Sequence, residues 1–364
     1  MNHGWQKKKL GEVCDIYQPK TVSTKDLVED GEYDVFGANG IIGKYTNYNH
    51  EDPEVLLTCR GATCGTINIS NPKSWINGNA MVIHPKSNGL SKSYLRIILQ
   101  SVDYTNVITG VAQPQITRTS ISPVEIQIPS IEQQCQIVSE LDKLNELIEL
   151  KRNQFKDLDT LAQSLFYETF GDPIENPKGW EIESISNIAP QQQYDGEIVN
   201  NNGLYWLLNL DMIEKNTGRI INYVYVKADE IGNSVYKIGP NQVLFSKLRP
   251  NLNKVVIVNH TGFCTSELLP LNPKNGALNS VFLSYLLRLP ECVSIFSGKV
   301  AGAKMPRVDL KVFRNFPLIV PPLSLQNEFA AKIAAIEEQK RLIESTIADL
   351  EILLACRMDY WFND

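Results

Sequence analysis

A chain of 364 residues with 43% apolar and 21% charged side chains has room for two ordinary domains and is too apolar to be disordered. Its formal charge of −6 gives no overall attraction to a polyanion, and seven scattered cysteines, an odd number, make no disulfide framework. No run is long and apolar enough to span a bilayer, and Lys7-Lys8-Lys9 has no apolar stretch behind it, so neither a membrane protein nor a signal peptide is expected.

In chain order, a mixed region comes first, residues 1–128. Its apolar runs Val55–Thr58 and Ala80–Ile83, set between Gly, Asn and Pro clusters, predict strands, and Ser91–Gln100 predicts a helix. Residues 129–172 predict one long helix. Ile137, Leu141, Leu144, Ile148, Phe155 and Leu158 step by four and three, interrupted by Lys151, which is the narrow apolar seam of a coiled coil. Gly171-Asp172-Pro173 stops it. Residues 173–320 hold a linker and a second mixed region, with strands at Val243–Ser246 and Lys254–Val258 and a helix at Asn279–Arg288. A second long helix fills 321–364, its seam formed by Phe329, Ile333, Ile336, Ile343, Ile347 and Leu350 around Lys340. About forty residues at 1.5 Å each make a rod of roughly 60 Å. A lone seam of that length stays wet, so the two helices are expected to pack on each other or each on a partner, and the short linker and the return of the chain favour mutual packing.

The second half repeats the first. Gly110 to Ile116 is echoed by Gly302 to Val308, and Ile126 to Ile131 by Leu318 to Leu323, both at an offset of 192 residues. Earlier matches, Val55–Thr58 with Val243–Ser246, run at 188, and Gly4-Trp5 pairs with Gly179-Trp180 at 175. A register kept to the end of the chain means one unit duplicated in tandem, with insertions in the loops. Charge follows the same plan. Residues 132–170 and 324–364 each hold eight acids against four bases, so the helices carry −8 together and the remainder +2. The mixed regions are permissive of a nucleic-acid partner.

Catalytic vocabulary is missing. Gly37 to Tyr45 has one residue too many before Gly-Lys for a phosphate loop, and a Tyr where a metal-binding hydroxyl belongs. No dinucleotide fingerprint follows a strand into a helix. The Asn-Pro pairs are each followed by Lys, not by the Pro-aromatic sequence of an adenine methyltransferase, and four histidines stand alone. Cys59 and Cys64 lack a second pair to complete a zinc site, so no bound metal is expected.

Binding vocabulary is richer. Lys44, Arg60, Gln113, Gln115 and Arg118 of the first module and Lys247, Arg249, Lys299, Lys304 and Arg307 of the second lie in loops at matching places. Arg grips guanine O6 and N7, Gln grips adenine N6 and N7, and Lys neutralises phosphate. Asn39, Tyr45, Asn47 and Tyr48 are further candidates. The recurring loops ahead of Pro114 and Pro306 are the best placed.

Taken in order, the tandem copies of module plus helix, the Gly-x-x-x-Pro-x-Ile pattern, the helix start Ile128-Pro129-Ser130-Ile131-Glu132-Gln133-Gln134 and the junction Phe170 to Glu181 resemble the specificity subunit of type I restriction-modification systems. Met305 in place of Gln113 and Ser324 in place of Glu132 are the departures. The resemblance implies an α+β chain: two α/β target recognition domains in tandem, each followed by a long helix, the helices packed as an antiparallel coiled coil. It implies a non-catalytic, cytoplasmic, prokaryotic subunit that reads a bipartite site in double-stranded DNA. Two methylation subunits and restriction subunits would be its partners. S-adenosylmethionine, ATP and magnesium would be bound by those partners, with no cofactor on this chain. Two other readings stand beside it: a scaffold for a methylation-only system, and a coiled-coil interaction protein without a DNA role. Salt-dependent affinity for duplex DNA separates the last.

Overall fold

The structure, a computed structural model, describes residues 5–110, 113–298, 300–301 and 305–362. It is α+β and contains two helices of forty residues, Ile131–Phe170 and Leu323–Phe362. The chain divides into two compact units, Met1–Arg152 with Ser345–Asp364, and Asn153–Glu344. Each unit therefore holds one mixed module and a part of both long helices. Among the described residues no single helix is long and apolar enough to cross a membrane.

In the first unit, Gln6–Lys9 pairs antiparallel with Glu125–Ile128. A four-stranded antiparallel sheet follows the spatial order Cys14–Tyr17, Ala80–Pro85, Val55–Thr58, Ile67–Ile69. Val55–Thr58 is buried at every position because it is the inner strand between two neighbours, with the helix Lys92–Gln100 against it. That helix is capped by Ser91, whose Oγ accepts from the Tyr94 N–H at 3.2 Å, and it buries Tyr94, Leu95, Ile98 and Leu99. A smaller sheet sets Tyr33–Gly37 antiparallel to Gly40–Tyr45 and parallel to Trp75–Ile76.

The second unit repeats these pairings. Glu181–Ser184 pairs with Pro317–Val320, the first module's pair shifted by 175 and 192 residues. Val243 faces Ile257 and Leu271 where Val55 faces Ile69 and Ile83, all shifted by 188. The short parallel contact recurs as well, Leu207–Leu208 with Phe263–Cys264 against Val35–Phe36 with Trp75–Ile76. The second module differs by one more strand, Val235–Ile238, on the far side of Gly262–Thr265.

Both modules share their cores with the long helices. Ile137 and Leu141 near the start of the first helix, and Phe362 near the end of the second, join the cluster of Val55, Leu57, Tyr94 and Ile98. In the other unit Phe329 and Ile333 open the second helix, and Phe166 and Phe170 close the first, around Val243, Phe282 and Leu286. The Phe362 ring lies 6.1 Å from Tyr94, and Phe170 lies 4.8 Å from Phe282, the position matching Tyr94. All the seam residues named above are buried or half-buried: Ile137, Leu141, Ile148, Phe329, Ile333 and Ile336 fully, Leu144, Phe155, Leu158, Ile343, Ile347 and Leu350 in part. Lys340 is also buried. Its ammonium reaches Asp159 at 2.7 Å and Glu337 at 3.2 Å, and lies 5.0 Å above the Phe155 ring.

Candidate nucleic-acid interface

The central strand of each module runs on past its sheet and meets the recurring loop. In the first module, the Gly61 N–H donates to Pro114 O at 3.0 Å and the Ile116 N–H to Cys59 O at 3.0 Å, which sets Arg60 opposite Gln115. Gln115 and Thr109 also exchange two backbone bonds of 2.8 Å, so these two residues pair with each other beside the strand. Next to Thr109, Gly110 has φ +88°, and a Cβ there would stand 2.5 Å from Gln113 O, so this position requires glycine.

The second module builds the same joint. The Arg249 N–H donates to Pro306 O at 2.7 Å and the Val308 N–H to Lys247 O at 2.9 Å, with Leu248 opposite Arg307. Ala301 pairs with Arg307 as Thr109 does with Gln115. The match is residue for residue, and it moves one assignment. Arg249 occupies the place of Gly61, not that of Arg60, and the position of Arg60 is filled by Leu248. Gly61 has φ +91° and Arg249 φ +49°, so both are left-handed, the second without a glycine's freedom.

Around these joints Arg60, Gln113, Gln115, Arg249 and Arg307 are exposed and Lys247 is half-buried. Arg307 is engaged, its guanidinium meeting the Glu267 carboxylate at 2.8 and 3.1 Å. That hydrogen bonding holds the Glu267 carboxyl below the usual glutamate range, with help from the charge of Lys247. Arg307 thus carries its own counter-ion, whereas the matching residue of the first module, Gln115, is uncharged. Arg118, also exposed, lies two residues beyond the first joint and opens the one-turn helix Arg118–Ile121. Lys44 is exposed on Gly40–Tyr45. The turn before that strand reaches the joint's strand: Thr58 Oγ1 donates to Ala38 O, and Asn68 Nδ2 to Asn39 Oδ1 at 3.0 Å. Lys299 and Lys304 lie outside the described residues.

Two acids of the modules had no signal in the sequence. Glu267 is one; an acid offset by 40 residues from Arg307 follows no motif. Glu54 is the other, buried beside the first module's central strand, where it takes Lys92 at 2.9 Å and His84 at 2.9 Å. The matching position in the second module is Gln242, also buried. Among the described residues no group of three His, Cys, Asp or Glu could hold a metal ion.

Residues 2–159 match the family model described as the type I restriction modification DNA specificity domain. The chain is similar to the EcoDI type I restriction enzyme specificity subunit of Escherichia coli, at 21% identity over 94% of this chain and 83% of that one. It is similar to the MjaIX specificity subunit of Methanocaldococcus jannaschii at 24% identity, over 78% and 71%. Its fold is similar to the crystal structure of a type I restriction-modification S subunit from M. genitalium, with TM-score 0.66 at 13% identity over 100% and 97% of the two chains. A chain from a structure of type I complex assembly and conformational transition gives 0.57 at 16% over 98% and 96%. Residues 2–159 thus match a type I restriction modification DNA specificity domain, and along most of its length the chain is similar to specificity subunits of type I restriction-modification systems.

Proposed function

We propose that this chain is the DNA-reading subunit of a type I restriction-modification complex, and that its two modules each read one half of a bipartite target. The duplicated joint carries the reading. Two modules of divergent sequence present polar or basic side chains on the same paired backbone segments: Arg60 and Gln115 in one, Arg249 and Arg307 in the other. Different side chains on one frame read different bases in the major groove, while Lys44 and Lys247 supply phosphate contacts. Arg307 would exchange Glu267 for a base edge or a phosphate. The chain is itself no catalyst.

In this reading the two long helices pair antiparallel and hold the modules apart at a fixed distance. Partner contacts along them support it. In the first unit Glu140 meets Arg357 and Arg152 meets Glu351, and in the second Asp159 meets Lys340 and Phe166 meets Phe329. Partners fall in number along the second helix as they rise along the first. Half-site spacing becomes geometric when two readers share a rigid frame. The acid surplus of the helices, net −8, leaves DNA contact to the modules. Methylation subunits that use S-adenosylmethionine and restriction subunits that use ATP and magnesium would complete the complex, with cofactors on those partners and none here.

Exchanging residues 1–128 for the module of another specificity subunit tests this. Methylation of defined duplexes by the assembled complex should change at one half of the target only. A change in both halves, or in neither, overturns the proposal.

A further inference from the structure

One polar contact between module and helix is present in both units and drawn to the backbone. Gln134 lies in the first turn of the first long helix and is 0% exposed. Its Oε1 accepts from the Ser91 N–H at 2.9 Å, and its Nε2 donates to Gly89 O at 2.9 Å and to Pro129 O at 3.0 Å. Gln326, also 0% exposed, does the same: Oε1 accepts from the Asn279 N–H at 2.8 Å, and Nε2 donates to Ala277 O at 3.0 Å and Pro321 O at 2.7 Å. Each amide thus ties the start of its module's helix to the start of its long helix.

We infer that Gln134 and Gln326 are positioning residues that fix how each reading module is mounted on the helices, and so set the gap between the two half-sites. The inference rests on the bipartite reading above. Three features carry it. The amide is keyed, because turning it over would put Nε2 against an N–H and Oε1 against two carbonyls, in a place closed to water. Its partners are backbone groups, so the joint is blind to module sequence: Gly89 and Ser91 in one copy are Ala277 and Asn279 in the other, with the bonds intact. A module can then change the bases it reads without changing its seat. The ion pair at the same boundary is not duplicated. Arg96 meets Asp142 at 2.5 Å in the first unit, but the matching residues Ser284 and Ala334 make no such pair, and Tyr285 meets Glu337 at 3.3 Å instead.

The test uses the full chain with its methylation subunits. DNA duplexes carry both half-sites with the gap at its normal length or changed by single base pairs, and initial methylation rates are read on each. Wild type should prefer its own gap by about 10²-fold, the scale on which a misplacement of one ångström costs rate. Gln134→Met and Gln326→Met, which keep volume and remove all three bonds, should retain half-site sequence preference but lose most of that gap preference. Arg96→Met should keep it. Gln134→Glu, whose protonated form retains one acceptor and one donor, should fall between and serves where the methionine variants do not fold. Undiminished gap preference in folded glutamine variants overturns the inference, as does equal relaxation by Arg96→Met. A wild type indifferent to gap length overturns the bipartite reading itself, and the inference with it.

Discussion

Arg249 sits where elementary preferences argue against it. A left-handed backbone costs a non-glycine residue roughly 1–2 kcal/mol, and Pro250 after it favours an extended conformation. The residue is held there by its bond to Pro306 O, in the place that Gly61 fills in the first module. Strain retained at an exposed arginine fits the proposal that its side chain is used in reading DNA. Arg249→Gly should therefore separate stability from binding. Relief of the strain, less the entropy a glycine loses on folding, should leave stability unchanged or raised by about 0.5–1 kcal/mol in urea melts. Loss of a base contact worth about 1–3 kcal/mol should weaken recognition of one half-site roughly tenfold or more, with the other unaffected. A variant that binds both half-sites as wild type does would remove Arg249 from the reading surface.

At the scale of elements, the long helices were legible because a seam stepping by four and three needs only local periodicity. The central strands and module helices were legible for a related reason, apolar runs bounded by Ser91 and Asn279 as caps. The smaller sheets were not. Tyr33–Gly37 finds its parallel partner forty residues on at Trp75–Ile76, and Gly40–Tyr45 is largely exposed, so neither leaves an apolar pattern. The candidate interface was half legible. The recurring loops located the joints and the offset of 188 residues carries Gly61 to Arg249, but only the pairing revealed that Glu267 neutralises Arg307. Lys340 in the second seam is the element-scale anomaly, a buried cation with two acids that solvent still reaches. Replacing a whole buried ion pair by well-packed apolar chains is often neutral or stabilising, by about 1–4 kcal/mol, and here the two acids are exposed enough for water to take the cation's place. Lys340→Met should therefore raise the urea midpoint or leave it in place, and a fall of more than about 2 kcal/mol would show the charge to be a net stabiliser. The helices should also be acid-sensitive. Hydrogen bonding to Arg357 holds the Glu140 carboxyl below its ordinary 4.5, and Arg219 does the same for Glu344. A depressed folded value gives stability that is present above 4.5 and lost as pH falls through the folded value. The thermal midpoint should be flat above pH 4.5 and drop below it, and Glu140→Gln should shrink that drop by about 0.5–1 kcal/mol, since the pair is partly exposed. An identical acid profile in the variant would place the acid lability elsewhere.

For the whole molecule, the two compact units do not follow the order of the sequence. Each module's core holds the first turns of the helix that follows it and the last turns of the other helix, Phe362 for one and Phe170 for the other. Module and strut are thus folded together, which suits a chain whose reading heads must not swing on their support. This arrangement depends on tertiary pairing alone, and no composition change at Arg152 or Ser345 announces it. It also explains why the duplication holds its register through the helices to Phe362, while the smaller sheets are free to diverge. In the proposed function, distance along DNA is built into the protein. Sequencing-based mapping of methylated adenines, on random DNA exposed to the assembled complex, tests it most directly. The account predicts two short defined sequences separated by an undefined stretch of one constant length; a single contiguous site, or two half-sites at variable separation, would contradict it.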